Sequence, residues 1–147
     1  MLHPDANLDR IQLWVDGLLS GKFKQGTGYL AYQLPDGTFE YCCLGVACEI
    51  AIAHGLQIDR EVSTEPMAND ALPVYFAWGR YLLPDPVMQW YGIHGDTAVE
   101  LVLPSSLDKV PRETTAAQIN DELRVSYRGI ARILAANFDL PDVPDGE

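Results

Sequence analysis

Phe39-Glu-Tyr-Cys-Cys-Leu-Gly-Val-Ala-Cys-Glu-Ile-Ala-Ile52 is the stretch whose reading decides the fold. It opens on alternating large residues, as a strand does, and continues from Leu44 in small and branched apolar residues at helical density. A strand therefore hands over to a helix running from Leu44 to about residue 53, with His54-Gly55 as its stop. The chain's three cysteines, Cys42, Cys43 and Cys48, all fall inside this stretch. A thiol near a helix start is a nucleophile, a metal ligand or a small core residue, and the three roles predict different proteins.

Upstream, Tyr29 to Leu34 reads as a strand and Pro35-Asp-Gly-Thr38 as a turn, so residues 29–43 form a hairpin. Leu8, Ile11, Trp14, Val15, Leu18 and Leu19 repeat every three or four residues and predict an amphipathic helix, capped by Asp5 or Asn7 and ended at Ser20-Gly21. Downstream, residues 57–72 are polar and acidic and read as a surface excursion. Val74 to Trp78 predicts a short strand. Leu83-Pro-Asp-Pro-Val-Met-Gln-Trp-Tyr-Gly92 predicts one or two helical turns with Asp85 as cap, and Ala98 to Leu103 alternates weakly. A last helix runs from Ser126 as cap to about Phe138. The expected architecture is α+β, a small antiparallel hairpin or sheet packed against three to four helices, within one domain over residues 1–138. Residues 139–147 carry four acids and no base, and are expected to form a flexible acidic tail.

Bulk properties remove several function classes. A net charge of −11 argues against general nucleic-acid binding, which requires clustered lysine and arginine, and leaves mimicry of DNA as a minor reading. No apolar run approaches the ~20 residues of a membrane span. Met1-Leu-His-Pro-Asp5 lacks the features of a secretory leader, so a cytoplasmic location is expected. An odd cysteine count with an adjacent pair fits thiols kept reduced.

Each chemical motif competes with a plainer reading. Cys43 at the predicted helix start, with His94 as base and Asp96 as its orienting group, is the arrangement of a papain-like or NlpC/P60-like cysteine hydrolase or transferase. Cys42-Cys43-Leu44-Gly45 resembles the Asp-Cys-Ser-Gly of the NlpC/P60 enzymes, with the Asp and Ser both replaced. The plainer reading, cysteines filling a core, is preferred. Cys43 and Cys48 lack the spacing of a ligand pair, so neither a metal nor another cofactor is expected. Gly21-Lys-Phe-Lys-Gln-Gly-Thr-Gly28 superficially matches a phosphate loop, but follows a helix and precedes a strand, the reverse of the required order. Its Lys22, Lys24 and Gln25 remain candidates for contacting an anion or a partner. Residues 125–136 imitate the first helix of a helix-turn-helix, but no recognition helix can follow them. Phe76, Trp78, Tyr81, Trp90 and Tyr91 form an aromatic-rich middle, of which Trp78 and Trp90 are candidate contact residues.

Four blocks in a fixed order carry a family resemblance: Trp14-Val-Asp-Gly-Leu-Leu-Ser-Gly-Lys-Phe-Lys-Gln-Gly26, Tyr41-Cys-Cys-Leu-Gly-Val-Ala-Cys-Glu49, Leu83-Pro-Asp-Pro-Val-Met-Gln-Trp-Tyr-Gly92, and Ile119-Asn-Asp121 followed by Ser126-Tyr-Arg-Gly-Ile-Ala-Arg-Ile133. In these the chain resembles small uncharacterised proteins encoded by tailed bacteriophages, notably those of actinobacteria. It departs from them at Ile119, where leucine is usual. The resemblance implies expression in a bacterial cytoplasm and no particular reaction. Together with the incomplete catalytic set, it leads to the expectation of a non-enzymatic phage accessory protein that binds a host or phage protein, or a small ligand, during takeover or counter-defence. A homo-oligomer is compatible with the sequence. The alternatives are the cysteine enzyme above and a sponge that sequesters a nucleotide signal.

Overall fold

The computed structural model describes residues 3–93, 99–102 and 113–143. Five helices and two sheets alternate along the described chain: α1 (Leu8–Leu19), β1 (Lys24–Gln25), β2 (Ala31–Gln33), β3 (Phe39–Tyr41), α2 (Cys43–Ala53), β4 (Arg60–Val62), β5 (Leu72–Phe76), α3 (Asp85–Tyr91), β6 (Glu100–Val102), β7 (Glu113–Thr115), α4 (Ala116–Asp121) and α5 (Tyr127–Asn137). The fold is α+β. Its main sheet has the order β1-β3-β2-β5-β4 and is antiparallel except where β1 runs parallel to β3. A separate antiparallel pair joins β6 to β7.

The central element is α2. Cys43, Leu44, Gly45, Val46, Ala47, Cys48 and Ala51 are all buried, so this helix is apolar around most of its circumference. Such a helix belongs inside a protein, with neighbours on every side. Here α1, α3, α4 and β3 pack on it. Gly45 explains how closely it approaches the hairpin: a β-carbon there would stand 1.8 Å from the Leu30 carbonyl oxygen. That carbonyl also accepts the Cys42 N–H at 3.1 Å, pinning the helix start to the strand entrance.

The hairpin forms as expected, with Tyr32 opposite Glu40 and Gln33 opposite Phe39. Its strand ends at Tyr41, not Cys43. Cys42 takes the N-cap position and Cys43 is the first helical residue. In α1 the cap is Asn7, which accepts the Arg10 N–H. In α3 the cap is Pro84, with Asp85 already inside the helix. The 21–28 loop and the 57–72 excursion each contain a short edge strand, β1 and β4. The unexpected fifth helix is α4, six residues long and capped by Thr115, which accepts the Gln118 N–H.

The core joins the two ends of the described chain. Ile11, Trp14, Val15 and Leu18 of α1 lie buried, as do Ile130, Ala131, Ile133 and Leu134 of α5, and the two helices pack together. Fully burying a side chain the size of Leu or Ile contributes roughly 1.5–3 kcal/mol, so this apolar seam is a major stabilising term. Of the acidic segment, residues 139–143 are described. Leu140 packs on the core with its N–H on Ala135 O at 2.9 Å, and Val143 is buried. No helix of the described residues is long and apolar enough to cross a membrane.

Candidate functional site

The signature blocks converge inside the protein on one fully buried amide, Asn120. Its Oδ1 accepts the Cys43 N–H at 3.2 Å and the Gln25 Nε2–H at 2.9 Å. Its Nδ2 donates to Gly26 O at 2.9 Å and to Asp121 Oδ1 at 2.8 Å. Gln25 Nε2 also reaches Val125 O at 2.8 Å, and Asp121 Oδ1 accepts the Gly28 N–H at 3.0 Å. Around this staple, Trp14 Nε1 donates to Cys43 O at 2.9 Å and Tyr91 Oη to Ala47 O at 2.6 Å, while Tyr127 Oη donates to Tyr41 O. Every described buried side-chain nitrogen and oxygen is hydrogen-bonded. A buried polar group without a partner costs about 1–3 kcal/mol, which is why these residue types occur together.

The cysteines lie within the same interior. Cys43 and Cys48 have no solvent exposure and Cys42 only 1%. Burial pushes the Cys42 thiol up to about 12 and those of Cys43 and Cys48 well above the ordinary thiol range. Cys43 does open α2, but its helix-start N–H is occupied by Asn120 and its Sγ donates to Ala116 O at 3.3 Å. At this position desolvation outweighs the helix dipole, and the thiol stays protonated at neutral pH. His94 and Asp96 lie outside the described residues. No group of three or more His, Cys, Asp and Glu suited to a metal ion occurs among the described residues.

Two surface grooves carry Lys22, Lys24 and Trp78. One, of about 480 Å3, is lined by Lys22, Phe23, Lys24, Asp36, Thr38, Phe39 and Tyr41. Phe23 meets Tyr41 edge-on at 5.3 Å and Phe39 stacks on Tyr41 at 6.3 Å, giving the groove aromatic walls. Lys24 Nζ pairs with Glu40 at 2.9 Å, and Tyr32 Oη donates to the same carboxylate at 2.6 Å. The Tyr32 hydrogen bond, followed by Lys24, holds the Glu40 carboxyl below its usual range. The second groove, of about 770 Å3, is lined by Ile52, Gly55, Leu56, Gln57, Ile58, Asp59, Ala77 and Trp78.

The structure therefore brings Lys22 and Lys24 together and distributes the other candidate contact residues elsewhere. Gln25 faces inward and belongs to the Asn120 staple. Trp90 is half-buried, edge-on to Tyr91 at 4.9 Å, with the Arg10 guanidinium 4.3 Å from its ring centroid. Trp78 stands out at the tip of a turn, 79% exposed. Sequence reasoning misses Asn120 as the organiser, although Ile119-Asn-Asp121 is one of the resembling blocks. The available signal is an amide among apolar neighbours in a motif otherwise devoted to packing. Phe39 and Tyr41 as groove walls are also missed, because alternation in a strand shows which residues share a face without showing which face is open.

No curated protein and no solved structure matches the chain. The family model described as "Domain of unknown function (DUF8296)" matches residues 8–138, from the first residue of α1 to the C-cap of α5. The match covers all five helices and both sheets of the described residues, and the chain belongs to the DUF8296 family.

Proposed function

We propose that the chain is a phage-encoded accessory protein that acts by binding and not by catalysis, engaging a host or phage component in the bacterial cytoplasm during takeover or counter-defence. One observation carries this reading: the reactive and polar groups of the signature blocks, Cys43, Gln25 and Asn120, face inward and are engaged in internal hydrogen bonds. The recognition chemistry left at the surface is the lysine and aromatic groove of Lys22, Lys24, Phe39 and Tyr41, and the exposed Trp78 beside a mainly apolar groove. Phage origin rests on the resemblance of the four blocks.

The test has two arms. Thiol labelling of the native protein at neutral pH is expected to be silent until denaturant is added, whereas a Cys43–His94–Asp96 enzyme would label rapidly below pH 7. Tagged full-length protein is expected to retain a defined component from lysate of the infected host. Rapid native labelling, or an empty capture, would remove the reading.

A second reading, the nucleotide-signal sponge, draws on the groove of Lys22, Lys24, Phe39 and Tyr41. Its aromatic walls suit a base and its lysines a phosphate. Asp36 and the Glu40 partner of Lys24 oppose an anion there. Thermal shift against a panel of nucleotides separates the two readings, since only the sponge predicts stabilisation.

A further inference from the structure

The turn after β5 combines two unfavourable features. Phe76 and Gly79 exchange backbone hydrogen bonds of 2.8 Å in both directions, leaving Ala77 and Trp78 as a two-residue tip. Both have positive φ, 48° and 71°. Tight hairpins of this hand select Asn-Gly, because a β-carbon crowds the backbone in the left-handed region. Here the tip carries an indole that is 79% exposed. The Ala77 N–H is held by Asp59 O at 2.7 Å, while most of the indole faces solvent.

The surroundings continue the same surface. On one side, Trp78 lines the groove of Ile52, Leu56 and Ile58. On the other, Arg80, Tyr81 and Leu82 follow, with Tyr81 46% and Leu82 43% exposed. Tyr81 lies on Tyr29 at 4.8 Å. Arg80 Nη1 donates to Tyr75 Oη at 3.1 Å, and its guanidinium sits 5.1 Å from the Tyr81 centroid. Tyrosines fix this cation in place, and no carboxylate of the described residues pairs with it. Trp, Tyr and Arg are the residue types that dominate binding energy at protein interfaces.

We propose that the Trp78–Leu82 ridge and the adjoining groove dock a segment of another protein that carries an apolar anchor beside an Asp or Glu. The anchor occupies the groove under Trp78, and the carboxylate completes Arg80 through charge-assisted hydrogen bonds. Charge complementarity decides the occupant. A second copy meeting this ridge about a two-fold axis would present the same surface to itself, cation and indole included. Nucleic acid would answer Arg80, but it is repelled by the net charge of −11. The inference rests on the binding reading above and assigns it a surface and a partner chemistry.

The probe is a displayed random-dodecapeptide library, selected against the full chain at roughly 0.15 M salt, where long-range charge effects are screened. The enriched peptides are expected to place Asp or Glu within a few positions of Leu, Ile, Phe or Met. A synthetic consensus peptide should bind at least about tenfold more weakly to Trp78→Ala and to Arg80→Gln, with Arg80→Lys in between. Both side chains are exposed, and circular dichroism checks that the variants fold. Should Trp78→Ala fail to fold, the Arg80 pair carries the test. No enrichment, a basic consensus, undiminished binding to both variants, or a dimer that Trp78→Ala converts to monomer would each overturn the proposal. If lysate capture retains a partner that the variants hold equally well, the ridge fails while the binding reading stands.

Discussion

The roles of Cys43 and Asn120 are set by their surroundings more than by their own chemistry. A thiol at a helix start is a textual sign of a nucleophile, yet removal from water raises its pKa more than the helix dipole lowers it. The consequence is measurable in alkali. Burial pushes the Cys42 thiol from its ordinary 9.0 up to about 12, so its contribution to stability is complete below pH 9 and lost as pH climbs through that interval. The thiols of Cys43 and Cys48 are raised in the same direction by the same burial. Urea midpoints are expected to hold level up to pH 9 and then fall steeply, and Cys42→Ala should flatten the fall. Asn120→Ala should cost about 2–4 kcal/mol, because it leaves the Cys43 N–H and the Gly26 carbonyl as buried orphans. A midpoint shift below that range would mean that water replaces the amide. Little of this was legible beforehand: Asn120 lies in a recognisable block, but its partners at 25–26 and 43 are distant in sequence and no periodicity connects them.

Elements with a repeating pattern were readable; those without one were not. The stripe of α1, the turn of the β2–β3 hairpin and the Ser126 cap of α5 each declare themselves locally, and all three are where the residues place them. Lys24-Gln25 is too short to alternate, so β1 exists only because β3 offers it an edge. With six residues, α4 completes fewer than two turns and shows no period. The hairpin tip is the element whose sequence most clearly disagrees with its conformation. Replacing Ala77-Trp78 by the residues this turn prefers, Ala77→Asn with Trp78→Gly, should stabilise the fold by about 1 kcal/mol and raise Tm by roughly 3 °C. The same variant should lose the consensus peptide. Calorimetry and peptide titration on one preparation check both halves, and an unchanged or lower Tm would show that the tip is not strained.

For the molecule as a whole, the dominant electrostatic fact is a net charge of −11 in 147 residues. The ion pairs Lys24–Glu40 and Arg60–Glu49 offset little of it. Self-repulsion of this kind opposes compactness and is relieved by salt. Moving from roughly 0.01 to 0.1 M salt shortens the screening length from about 30 to about 10 Å, and Tm should rise. A falling Tm would mean that the local pairs matter more than the overall repulsion. The same field discourages two copies from meeting and favours a partner surface that is basic around the acidic segment received by Arg80.

The Asn120 staple also fixes a timetable. It ties residues 25–26 and 43 to residues 120–125, and α1 seats against α5, so the earliest and latest parts of the chain complete one another. During synthesis the first helix and the cysteine-bearing helix leave the ribosome before α4 and α5 exist. Until then α1 and β3 can cover part of α2, but its α4 face stays open. Contacts between residues far apart along a chain slow folding in general, because loop closure must precede them. The pattern that leaves the finished core fully bonded among the described residues thus leaves the unfinished chain with an uncovered apolar helix face.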